Sequence, residues 1–160
     1  MSIHPIHILY RAAQRLRMLW WRVARPHVYG AKVVVLGPER SALLIRHSYV
    51  SSEQWMLPGG GVRRGEDPAV AASREVLEET GVAVTAIRLH GEFLDTARGA
   101  RNHISVFVGQ GAGEPRCDGR EIVAAEWYSL DALPASIASG SLKRIVEVRD
   151  GLAPVGSDWP

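Results

Sequence analysis

The stretch GGVRRGEDPAVAASREVLEETGV, residues 60–82, decides how the rest of the chain is read. Asp67 and Pro68 form a helix start and Gly81 a helix stop, which predicts a helix over Asp67 to Thr80. At about 100° per residue, Glu78 and Glu79 lie about 60° to one side and about 40° to the other side of Glu75. Three carboxylates therefore share one face, which is unfavourable for a plain helix. A divalent cation would compensate them, and hard Mg²⁺ or Mn²⁺ prefers such oxygen ligands. The preceding Gly59-Gly60-Gly61 run lets backbone approach a ligand closely, so the Gly59 or Gly60 carbonyl is a further candidate donor. Glu66, ahead of Arg74, suits a pair that clamps the loop to the helix in a supporting role. Together these features suit phosphoryl chemistry. A metal neutralises developing charge and lowers the pKa of water, and a nearby carboxylate takes the proton.

Upstream, Ala31 to Leu36 is a β-branched run, Gly37 to Arg40 a turn signal, and Ala42 to Arg46 a second run, so a hairpin is predicted. Trp55-Met56-Leu57 leads into the glycine loop. Downstream, Val82 to Leu94, His103 to Gln110 and Ile122 to Tyr128 read as strands. Residues 111–120 read as a loop, Leu130 to Leu133 as a short turn of helix, Ser139 to Arg149 as a helix, and the tail after Gly151 as loose. The absence of a regular βαβ rhythm indicates an α+β or mixed-sheet sandwich.

Residues 1–25 differ from the rest. They carry Arg11, Arg15, Arg17, Arg22 and Arg25 and no acidic residue. Leu9, Leu16, Leu19, Trp20 and Val23 recur near helical spacing, which predicts a basic amphipathic helix stopped by Pro26. It would dock on the domain, form a homodimer contact, or meet a membrane surface or acidic partner. The arginines break what would be a signal-peptide core, and no apolar run approaches the ~20 residues of a membrane span. The lone Cys117 excludes an intrachain disulfide, which suits a cytoplasmic setting, peripheral to the membrane if the basic helix binds there. A net charge of +2 gives no reason to expect nucleic-acid binding.

Gly60, Glu66, Arg74, Glu75, Val76, Glu78, Glu79, Gly81 and Val82 stand at the spacings of the Nudix box: Gly, five residues, Glu, seven residues, Arg-Glu, aliphatic, any, Glu-Glu, any, Gly, aliphatic. The chain thus resembles the Nudix hydrolases over about residues 28–150. The run from Trp55 to Gly61 and the segment from Glu126 to Pro134 agree with the resemblance. It implies an α+β Nudix fold, a mixed β-sheet in an α/β/α sandwich. Residues 1–27 would add the N-terminal amphipathic helix and residues 151–160 a C-terminal tail.

The resemblance also implies an enzyme that cleaves a diphosphate linkage with Mg²⁺ or Mn²⁺. Glu75, Glu78 and Glu79 would hold the metal with Gly60 or Gly59, and Glu66 and Arg74 would support the site. The general base would come from Glu75 or Glu78, or from Glu121, Glu92 or Asp95 outside the box. Arg46, Arg63, Arg98 and Arg101 are candidate phosphate contacts, and Trp55 and Tyr49 candidate stacking groups. His47, His90 and His103 do not form a zinc spacing.

The expected substrate is a nucleoside diphosphate derivative of nucleotide or nucleotide-sugar type. A lipid-linked or isoprenoid diphosphate is the alternative, and a nucleotide-binding sensor without turnover the alternative of another class. Subfamily markers are missing: no proline occurs from Ala69 to Glu114, no tyrosine between Val82 and Trp127, and no Ser-Gln-Pro-Trp-Pro-Phe-Pro run.

Overall fold

The computed structural model describes residues 27–49, 54–96, 100–117, 119 and 121–160. The predicted N-terminal helix lies outside the described residues. The elements are β1 (His27–Gly37), β2 (Ser41–His47), β3 (Gly59–Gly61), α1 (Pro68–Thr80), β4 (Val84–Asp95), β5 (Arg101–Gly111), β6 (Ile122–Ser129) and α2 (Ser139–Arg149). Six strands form one mixed sheet in the order β4-β5-β1-β2-β6, with β3 paired to β1. β1 and β5 run parallel, and the other pairs are antiparallel.

β1 is apolar along its middle because both of its faces are covered. Ala31, Val33 and Val35 pack with Leu43, Ala71, Ala72 and Val76 beneath α1. Val34 turns the other way and packs with Leu44, Leu57, Val106 and Ile145 beneath α2. One helix therefore covers each face of the sheet.

The hairpin predicted for β1 and β2 is present, but the two strands pair only at its tip, Leu36 with Ala42 and Gly37 with Ser41. Below the tip they part, and the segment from Trp55 to Gly61 enters the gap. Met56 exchanges two 2.9 Å backbone bonds with Ile45 on β2, and Val33 of β1 donates to Pro58 O at 3.0 Å. This wedge carries the glycine loop to the end of α1.

Two expectations are corrected. Residues 130–133 form turns rather than helix. Pro134 disfavours helical backbone at Leu133, and a single bond from Ala132 N to Ser129 O at 3.0 Å closes the turn. The tail after Gly151 is not loose. Leu94 donates to Ser157 O at 2.7 Å and accepts from Trp159 N at 3.0 Å, so the tail runs along the free edge of β4. The Trp159 ring then packs edge-to-face on Phe93, with centroids 6.1 Å apart. No helix among the described residues is long and apolar enough to cross a membrane.

Candidate active site

α1 begins with local chemistry that fixes its register. The Asp67 carboxylate accepts from Ala69 N at 2.7 Å and Val70 N at 3.4 Å, and Pro68 occupies the first turn. Gly81 ends the helix with φ 69° and donates to Leu77 O. Buried Ala71, Ala72 and Val76 hold one face of the helix to the sheet, and that docking aims the glutamates at the glycine loop.

A cavity of about 340 Å³ lies between α1, the loop and the start of β6. Glu75, Glu78, Glu79 and Glu121 line it, together with Gly59–Gly61, His47, Tyr49 and Ile122. Glu121 comes from the opposite wall, where its carbonyl accepts from Ser48 N at 2.9 Å. A larger opening of about 670 Å³, bordered by Tyr29, Arg63 and Arg64, contains none of these four carboxylates.

The loop meets the helix closely, and glycine is required for it. Gly59 has φ 137°, and a side chain there would strike the Ala31 carbonyl. A Cβ on Gly60 would collide with the Glu75 carboxylate. The Gly59 amide donates to Glu79 Oε2 at 2.9 Å.

Arg74 organises the rest. It pairs with both oxygens of Glu66, Nε to Oε1 at 2.8 Å and Nη2 to Oε2 at 3.0 Å. It also donates to Gly61 O at 3.2 Å, Glu75 Oε1 at 2.7 Å and Glu78 Oε2 at 3.3 Å. Glu66 accepts in addition from Arg63 N at 2.8 Å. These bonds, from Arg74 first and then Arg63, hold the Glu66 carboxyl down at about 2. The carboxylates in turn raise the Arg74 guanidinium above its ordinary value.

Glu79 has the opposite environment. Its burial, and after that the charges of Glu75 and Glu121, outweigh the Gly59 bond and the charge of Lys32 and push its carboxyl up to about 8. Among the described residues no three metal-ligating side chains converge as a ready cage. Arg74 engages one oxygen of Glu75 and one of Glu78.

The other sequence candidates are dispersed. Trp55 is a core residue, 7% exposed, packed on Tyr128 at 5.0 Å, and does not line the cavity. Arg46 lies over Trp55 at 5.4 Å. Arg63 reaches toward Glu78 at 3.8 Å from the rim. Arg101 is exposed at the start of β5, Glu92 is exposed on β4, and neither lines the cavity. Arg98 is outside the described residues. Asp95 lines a second cavity, of about 180 Å³, that shares His47, Tyr49 and Gly59 with the acidic one. His90 is bonded to Glu147 at 2.9 Å, and His103 to His27 at 3.0 Å. Sequence reasoning passed over Lys32, Asn102 and Trp159, which also line the second cavity. Lys32 did carry a signal, as the one charge inside an apolar strand.

The family model of the NUDIX domain matches residues 26–147. The chain belongs to the NUDIX family. A Bacillus subtilis protein named "Putative 8-oxo-dGTP diphosphatase" is 30% identical over 129 residues, covering 81% of this chain and 85% of that protein. The NAD-capped RNA hydrolase NudC of Vibrio cholerae is 27% identical over 133 residues, 83% of this chain but 49% of that protein, so the chain spans about half of it. The solved MutT NUDIX hydrolase of Burkholderia pseudomallei superposes with a TM-score of 0.67 at 27% identity, over 76% of this chain and 98% of that one. This NUDIX chain is accordingly a hydrolase, and its mixed α+β sheet is the fold of its relatives.

Proposed function

We propose that this hydrolase cleaves a diphosphate linkage in a nucleoside diphosphate derivative, with Mg²⁺ or Mn²⁺, by water attack at phosphorus. The observation that carries the reading is the acidic cavity. Four glutamates line it, and one of them is pushed up to about 8 by burial and by its neighbours' charge. Such a donor set fits a hard divalent cation, and Mg²⁺ commonly uses one or two carboxylates plus substrate phosphate rather than a full protein cage. Glu79, Glu75 and Glu78 would hold the ion, with the Gly60 or Gly59 carbonyl. When bound, it supplies charge neutralisation at phosphate oxygens and a lowered pKa for water.

The chain's own groups supply the rest. Arg74 and Glu66 lock the loop to α1 and so fix the glutamates relative to Gly59 and Gly60. Glu121 lines the same cavity from the start of β6, and Glu75 and Glu78 each give an oxygen to Arg74. We assign proton abstraction from the attacking water to Glu121, a carboxylate that lines the cavity from outside α1. Arg63, at the rim, is the described arginine best placed to meet phosphate.

Nucleotide substrates are favoured because relatives are named for 8-oxo-dGTP and for NAD-capped RNA. The lipid-linked alternative rests on residues 1–27, outside the described residues. The test is a panel of nucleoside triphosphates, dinucleotides and nucleotide sugars, scored for phosphate or nucleoside monophosphate release with Mg²⁺ and with EDTA. Metal-dependent release from at least one nucleotide is expected. No release from any, or release indifferent to EDTA, contradicts the reading.

A further inference from the structure

The cavity beside the acidic site is built partly by the C-terminal tail, beyond the residues that match the family model. Its walls include Trp159 from the tail, Asn102 and Ile104 from β5, Asp95 at the end of β4, and Lys32 from β1. It lies beside the acidic cavity, with which it shares His47, Tyr49 and Gly59 as lining residues.

Trp159 is held from several sides. Its amide bonds to Leu94 O at 3.0 Å, and its ring packs on Phe93. Gly140, at the start of α2, lies flush beneath it, since a Cβ there would come within 2.5 Å of the indole. A rigid indole at a pocket wall is a stacking surface for a planar group. Asn102 lines the same pocket, and its Oδ1 lies toward Gly30 on β1, 3.6 Å from where a Cβ there would stand. An amide offers a donor and an acceptor side by side, the pairing that reads a base edge.

We infer that this tail-built pocket is the nucleobase subsite, with Trp159 stacking on the base and Asn102 bonding its edge while the diphosphate lies over the carboxylates. The inference rests on the nucleotide reading above. It assigns the tail a role in selectivity: a chain shortened before Trp159 would keep the acidic cavity and lose its grip on the base.

The test measures binding without turnover. AMP, GMP, CMP, UMP and ribose 5-phosphate are titrated by calorimetry against the wild type, Trp159→Leu, Trp159→Phe and Asn102→Leu. At least one nucleoside monophosphate is expected to bind the wild type more tightly than ribose 5-phosphate does. Trp159→Leu should weaken it by roughly ten-fold, the scale of one base–aromatic stack, with Trp159→Phe recovering most of the loss. Asn102→Leu should narrow the differences among the four bases. Ribose 5-phosphate should lose less than the nucleotides in every variant. Equal losses for ribose 5-phosphate and nucleotides, or unchanged nucleotide binding in Trp159→Leu, overturn the inference. A general loss of folding would appear in a thermal melt, and Trp159→Phe and Asn102→Leu then decide. Base-dependent binding without any hydrolysis would sink the hydrolytic reading and leave the subsite standing; hydrolysis with no effect of Trp159 or Asn102 would do the reverse.

Discussion

The two helices each carry a cluster of charged side chains, and the clusters differ in balance. On α2, Arg144 is fully buried and bonds to Glu147 at 2.8 Å. Glu147 also meets His90 from β4 at 2.9 Å and accepts from Val155 N of the tail at 3.0 Å. The Phe93 ring covers the Arg144 guanidinium at 4.0 Å. Burial pushes Arg144 down and Glu147 opposes the shift. Positive and negative groups thus meet within the protein, and their product is structure: the cluster fastens the tail to α2. On α1, Arg74 serves Glu66, Glu75 and Glu78, while Glu79 and Glu121 add further carboxyl groups to one cavity. That cluster has more carboxyl groups than cations, and the fold answers part of the excess by pushing the Glu79 carboxyl up to about 8. A balanced cluster holds two elements together, and an unbalanced one is suited to a cation.

The contrast can be broken most severely on α2. Arg144→Ala leaves Glu147 buried without its main partner and should cost about 3–5 kcal/mol in urea unfolding, while leaving the acidic cavity untouched. A loss under 1 kcal/mol would mean that the cluster is not holding the tail. On α1 the expected effect falls on activity instead. Glu79→Gln keeps an acceptor for Gly59 N yet removes the buried charge, and should lower metal-dependent turnover about 100-fold or more while the fold persists. Near-normal turnover would remove Glu79 from the site.

A smaller effect concerns the clamp. The folded-state Glu66 carboxyl is lowered from 4.5 to about 2, so its contribution to stability is present above pH 4.5 and is lost as the pH falls toward 2. Glu66→Gln should therefore flatten the acid limb of a stability profile in that window and leave the profile near pH 7 parallel to the wild type. An unchanged acid limb would show that the pair does not hold the loop.

The parts of this account that were legible in the sequence are the local ones. The α1 boundaries follow from Asp67, Pro68 and Gly81, which act on their own neighbours. The shared face of Glu75, Glu78 and Glu79 follows from helix geometry alone. Lys32 was visible as a charge in an apolar strand, though its place beside the site was not. The tail was expected to be loose, and what fastens it is Leu94, Phe93 and Gly140, distant in sequence. The His90–Glu147 pair spans 57 positions, and no pattern within a single element announces it. Trp55 could stack on a substrate but suited packing beneath the loop better, and it is indeed a core residue.

The central claim, that the α1 cluster crowds carboxyl groups in a way suited to a cation, is tested most directly by thermal unfolding of the metal-free protein against pH. Folding raises the Glu79 carboxyl from 4.5 to about 8, so the folded state binds the extra proton and stability should fall as pH rises through that window. The predicted result is a midpoint that drops from pH 6 to pH 9, is restored at pH 9 by millimolar Mg²⁺ or Mn²⁺, and is nearly flat in Glu79→Gln with or without metal. A wild-type midpoint indifferent to both pH and metal, or a metal response undiminished in Glu79→Gln, would contradict the account.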